Sequence, residues 1–147
     1  MMPRCFEWTA FPGTTRTVQA ARAFFRETST RWSVPRPAAD DIVQIGSELA
    51  ANAVEHGMGE IGAGLILADG SLVLTVTDHG SLPDVGLRAD RPGDDAVRGR
   101  GLYLVRALAA GWGWYRTPAG TAVWAMVTLP SDAAPAMHAQ LGTEGCR

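Results

Sequence analysis

The chain has 147 residues, 46% of them apolar and 19% charged, and its thirteen basic and fifteen acidic residues give a formal net charge of −2. That length fits one domain with a packed core, and the composition excludes disorder along the whole chain. The near-neutral balance argues against direct nucleic-acid binding, which needs a strongly basic face to neutralise phosphates. All thirteen cations are arginine, so lysine chemistry such as a Schiff base or a P-loop lysine is excluded. Cys5 and Cys146 lie at opposite ends and allow at most one bridge, too few for a secreted disulfide framework. Residues 1–8 carry Arg4 and Glu7 in place of a signal-peptide apolar core. The longest uncharged run, 117–131, is broken by Pro118 and Gly120 and is shorter than the ~20 residues of a membrane span. These features predict a soluble cytoplasmic domain with no membrane partner.

A short strand is predicted over 6–10. Residues 14–31 read as a helix, because Val18, Ala21 and Phe25 recur at helical spacing while Arg16, Arg22, Arg26 and Glu27 fall elsewhere. Pro35 and Pro37 break it, since each disfavours helix in the residue before it. A second helix is predicted to start near Ala39, where Asp40 and Asp41 suit the positive end of the helix dipole. Ile42, Ile45, Leu49 and Ala53 form its buried stripe, and Gly57 is its natural stop. Residues 64–68 and 71–77 read as strands around Asp69-Gly70, a strong hairpin signal. Residues 79–98 carry no periodicity, and such a stretch inside a compact domain is usually functional or disordered. A short helix over 102–110 precedes strands over 113–117 and 121–129, joined through Pro118, Ala119 and Gly120. Residues 1–130 are therefore expected to form a single domain, and 131–147 a small-residue tail that frays. Helices segregated from a largely antiparallel sheet predict a two-layer α/β sandwich rather than a βαβ nucleotide fold.

Four features carry chemistry. Glu48, Asn52 and Glu55 follow i, i+4, i+7 spacing and share a helix face apart from the apolar stripe. A carboxylate one turn from a carboxamide suits a hard cation such as Mg²⁺, which also keeps waters and phosphates; taken alone, the same residues also make an ordinary solvated face. Asp78 ends an apolar strand with Gly80 two residues on. Its carboxylate accepts hydrogen bonds and suits an exocyclic amine such as that of adenine, although Asp-x-Gly is also a common turn. Gly99, Arg100, Gly101 and Leu102 open a helix, where exposed N–H groups favour a phosphate; a lone Gly-x-Gly is equally a flexible helix start. Thr121 begins the last strand, whose first hydroxyl could face the same pocket, a feature that carries no information alone.

In this order and spacing the set resembles the histidine-kinase-like (GHKL-type) ATPase superfamily, over roughly residues 14–130. Glu48 to Asn52 is similar to its N box, Asp78-His79-Gly80 to its first glycine box and Gly99-Arg100-Gly101-Leu102 to its second. The wording Glu48-Leu49-x-x-Asn52-Ala53-x-x-His56, with Val123-Trp124 in the last strand, looks most like the anti-sigma-factor serine/threonine protein kinases.

The resemblance implies a Bergerat-type fold, a mixed and mostly antiparallel sheet covered by helices on one face, with ATP and Mg²⁺ as cofactors. It implies that Asn52 holds the Mg²⁺, that Glu48 is the general base, and that Asp78 takes the adenine amine. Gly80 would give Asp78 room and Thr121 would support it through water. Residues 79–98 would be a lid over the nucleotide, and Gly99, Gly101 and Leu102 would cradle phosphates through N–H groups. With no lysine present, any phosphate contact that a lysine of the family would supply must come from Arg98, Arg100 or backbone. The implied substrate is a serine on an anti-anti-sigma (STAS-type) protein that competes with a sigma factor for the kinase surface. Relatives of this kind are often homodimers through the sheet. A second reading stays open: an ATP-binding module without turnover that sequesters a sigma factor or another regulator. Glu48 favours the enzyme, since a pure binder has no need of a base. His56, His79 and His138 lack the helical context of a sensor kinase's phospho-acceptor, and the histidines and cysteines lack zinc spacing. Trp112 and Trp114 alternate along a strand and are expected in the core or a dimer interface.

Overall fold

The computed structural model describes residues 5–80 and 100–133, with the backbone alone for 100–102. The elements follow in the order β1 (Cys5–Phe11), α1 (Thr17–Arg31), α2 (Arg36–His56), β2 (Ile61–Ala68), β3 (Ser71–Asp78), α3 (Arg100–Leu108), β4 (Gly111–Thr117) and β5 (Gly120–Thr128). The strands form one sheet in the order β1-β2-β3-β5-β4, antiparallel at every described pairing. With helices packed against it, this is the expected two-layer α/β sandwich.

Local chemistry explains the central hairpin. Ala68 pairs with Ser71, leaving a two-residue turn in which Asp69 has φ +45° and Gly70 φ +80°. Two consecutive positive φ values match the right-handed twist of the flanking strands, and Asp and Gly tolerate them best. The Gly70 carbonyl accepts the Leu129 N–H at 2.8 Å, which ties this turn to the end of β5. Along β3 the burial alternates residue by residue, with Leu72, Leu74 and Val76 turned into the core.

Several boundaries differ from the sequence-based expectation, each for a physical reason. Strand β2 begins at Ile61, three residues early, because Gly62 and Gly64 are strand residues lying beneath Trp8. A Cβ at Gly62 would overlap the Trp8 ring, and one at Gly64 would stand 2.6 Å from Trp8 Cε3. Gly62, outside the expected strand, and Gly64, its expected first residue, together seat an indole across the strands. Helix α2 begins at Arg36, with Pro35 as its N-cap residue and Pro37 in its first turn. Proline is tolerated there because first-turn N–H groups have no intrahelical partner. Helix α3 starts at Arg100, so Gly101 lies inside the first turn.

Helix α1 packs on α2 through Phe25, whose ring lies so close to Gly46 that a Cβ there would overlap it. Phe25 and Trp32 join Ile42, Ile45, Leu49 and the inward residues of β2, β3 and β5 in one hydrophobic cluster. Trp112 packs against that cluster, while Trp114 is more exposed. On the opposite sheet face Phe6 and Trp8 are about half exposed. Residues 134–147, which make up most of the expected tail of 131–147 and include His138 and Cys146, lie outside the described residues. Among the described residues no helix is long and apolar enough to cross a membrane.

Candidate functional site

Three distant pieces of chain meet at one end of the sheet: the C-terminus of α2, the end of β3 and the start of β5. Asp78, the last residue of β3, is 5% exposed, and its Oδ1 accepts the Gly80 N–H at 2.6 Å. Register places Thr121 opposite Asp78, and the buried Thr121 Oγ1 donates to the Gly80 carbonyl at 3.0 Å. The Thr121 hydroxyl thus fastens the Asp78–Gly80 turn directly. The His79 N–H donates to the Met58 carbonyl at 2.9 Å, which binds the strand end to the segment leaving α2.

Glycines close around Asp78. A Cβ at Gly57 would stand 2.6 Å from Asp78 Cγ, and one at Gly80 3.0 Å from Asp78 Oδ1. A Cβ at Gly120 would overlap the Asp78 carbonyl oxygen. No side chain fits at these three positions without moving backbone or the aspartate. Burial pushes the Asp78 carboxyl above its ordinary value, and the Gly80 N–H and the neighbouring His79 only partly offset that rise. A carboxylate has acceptor capacity for several donors, so one backbone N–H leaves room for a donor such as an amino group. His79, Gly80, Arg116 and Thr121 line a depression of about 210 Å³ beside it, together with the β4–β5 turn.

On α2, Glu48 and Asn52 are half-buried and Glu55 is exposed. The Asn52 Nδ2 is buried without a hydrogen-bond partner. So is the His56 Nε2, which lies 3.7 Å from Glu55 Oε2, beyond hydrogen-bond reach. Buried polar atoms are rarely left unpaired, so these two mark a place suited to an added group. An asparagine amide flips without changing shape, so the same position presents an oxygen equally well. The donor chemistry therefore fits a hard cation. No cluster of three His, Cys, Asp or Glu side chains able to hold a metal exists among the described residues. A cation at Asn52 would take most of its ligands from water and phosphate oxygens, which is Mg²⁺ behaviour.

Gly99 of the second glycine box, and the expected lid from Ser81 to Arg98, lie outside the described residues. Arg100, Gly101 and Leu102 form the first turn of α3, and α3 packs against α2. The structure thus gathers Asp78, Gly80 and Thr121 with the end of the helix bearing Glu48 and Asn52. It also shows what the sequence reading missed. Gly57 and Gly120, read as a helix stop and a turn residue, are close-packing positions around Asp78; a glycine directly after the Asn52 helix was the only available hint.

A two-layer sandwich that closes two glycines on one buried carboxylate and a third on its main chain, beside a polar helix face with unpaired buried nitrogens, has the features of a nucleotide-binding ATPase domain. The family model of the histidine kinase-like ATPase domain matches residues 11–127, and the chain belongs to that family. Membership makes it an ATP-binding, kinase-like ATPase domain. No curated protein matches the chain.

Proposed function

We propose that this chain is a cytoplasmic, ATP-dependent serine/threonine protein kinase of the anti-sigma-factor type. Its substrate would be a serine hydroxyl on an anti-anti-sigma (STAS-type) protein, and phosphorylation would control which partner, that protein or a sigma factor, occupies the kinase. The observation carrying the reading furthest is the half-buried Glu48 one turn from the unpartnered Asn52 amide, on the helix whose end packs against Asp78.

Asp78 accepts a hydrogen bond from the adenine amine, in a turn held by Gly80 and Thr121. Asn52 would hold Mg²⁺, which would supply neutralising charge to the phosphates when bound. Glu48 accepts the proton of the attacking serine hydroxyl as its oxygen bonds to the γ-phosphorus and the bond to ADP breaks. Phosphoryl transfer asks mainly for positioning and charge neutralisation, so this short inventory suffices. The first turn of α3, with Arg100, Gly101 and Leu102, offers backbone N–H groups to the phosphates.

The test is transfer from γ-labelled ATP to a STAS-type partner, run alongside ATP binding by calorimetry. Glu48→Ala is expected to slow transfer by about 10²-fold or more, the usual reach of a general base, with ATP affinity held within about twofold. Asn52→Ala is expected to abolish the Mg²⁺ dependence of ATP binding. A stable partner complex with no label transfer in the wild-type protein would instead favour the second reading, an ATP-binding module that sequesters a regulator without turnover.

A further inference from the structure

A cleft larger than the depression beside Asp78 lies elsewhere among the described residues. It occupies about 680 Å³ between the C-terminal half of α1 and the first turns of α2, within the roughly 300–1,000 Å³ range of small-molecule sites. Asp40 on its wall is twelve residues before Asn52 on the same helix, about 18 Å at 1.5 Å per residue. Arg22 and Arg26 from α1 and Arg36 from α2 line it. Arg22 and Arg26 form no ion pair among the described residues, and Arg36 reaches Asp40 only at 3.9 Å with both side chains largely exposed. Three guanidinium groups less the Asp40 carboxylate leave a charge of +2 on the wall.

A second, independent observation points to a ligand. Ser29 also lines the cleft, is 1% exposed, and has a buried hydroxyl with no hydrogen-bond partner. Buried hydroxyls are normally paired. Helix α2 moreover begins here without a side-chain cap, which leaves its first-turn N–H groups and positive dipole end to other acceptors. Planar guanidinium forks match phosphate oxygens in pairs, and the wall's charge of +2 balances that of a dianion.

We propose that this cleft is an anion site, separate from the nucleotide site, that takes a dianionic phosphate group, either free or as a small monoester. Arg22, Arg26 and Arg36 supply the charge, and the Ser29 hydroxyl supplies a buried donor. Nothing in this rests on the kinase reading.

Calorimetric titration of the full chain at constant ionic strength tests it, with inorganic phosphate in one arm and glycerol 1-phosphate in the other. A non-hydrolysable ATP analogue, added to saturation, keeps the nucleotide site closed. Saturable binding is expected, weakened about tenfold or more by Arg26→Ala or Arg22→Ala, each removing a charge-assisted hydrogen bond. Ser29→Ala should weaken it further still in combination, with affinity for the ATP analogue unchanged in all three variants. Tighter binding in one arm assigns the physiological source, free anion or ester. Absence of saturation in the millimolar range, equal binding by an Arg22→Ala/Arg26→Ala double variant, or displacement of phosphate by the ATP analogue would each overturn the proposal. Both arginines are exposed, so their loss leaves folding intact.

Discussion

Asp78 is a carboxylate placed where burial opposes its charge and one backbone N–H supports it. Replacing it with Asn keeps the shape and the acceptor for Gly80 while removing the charge. Asp78→Asn should therefore raise the melting temperature of the nucleotide-free protein at neutral pH, by roughly 2–5 °C for a chain of this size, yet weaken ATP binding about tenfold or more. The pH dependence has a definite sign. The folded-state value lies above the unfolded 3.8, so between the two the folded protein holds more protons and stability falls as pH rises. The penalty is complete above the folded value and absent below 3.8. The stability gap between variant and wild type, followed by thermal melts, is thus widest at neutral pH and closes on acidification. A gap that widened in acid would contradict the burial argument. Asp78 and Gly80 were legible in the sequence because their spacing is local. Gly57 and Gly120 were not, since the atoms that crowd them arrive from elsewhere in the chain.

The contact of α1 with α2 turns on Gly46 against the Phe25 ring. Two effects compete there. Alanine is favoured over glycine inside a helix by roughly 0.5–1 kcal/mol, whereas forcing a methyl into a packed core costs typically about 1–3 kcal/mol. Overlap with a fully buried ring places the cost at the upper end, so Gly46→Ala should lose about 2 kcal/mol in denaturant unfolding. Gln44→Ala on the exposed side of the same helix should change stability by less than about 0.5 kcal/mol. The buried stripe of α2 was readable from its period, and the Asp69-Gly70 hairpin from its turn chemistry. The early starts of α2 and β2 were hidden, one behind a proline that the first helical turn accepts and the other behind glycines that seat Trp8.

For the whole molecule, ligand binding and folding are linked by mass action. ATP at a hundred times its dissociation constant should add about 2.7 kcal/mol to the stability, a melting-point rise of roughly 5–10 °C at this chain length. Chelating Mg²⁺ should remove most of that rise in the wild-type protein and little of it in Asn52→Ala, as scanning calorimetry would show. An equal rise with and without chelator would sink the Asn52 assignment. The two faces of the sheet are also a property of the assembled molecule. Trp112 and Trp114 sit opposite the buried Ala125 and Val123, on the helix-covered side, while Trp124 lies against Gly113 on the other. Which indole meets the core is decided by register, and a shift of one residue would exchange them.

By itself the sequence determined the elements, the turn at Asp69-Gly70, and the identity of the polar residues that gather at the site, because periodicity, turn chemistry and spacing are local properties of the chain. Tertiary structure alone decided that Gly57 closes on the Asp78 carboxylate and Gly120 on its main chain, that Thr121 fastens the Gly80 carbonyl, and that an arginine-lined cleft opens beside a buried, unpaired Ser29. Those facts depend on which surfaces meet when the two layers pack, and no spacing along the chain records them.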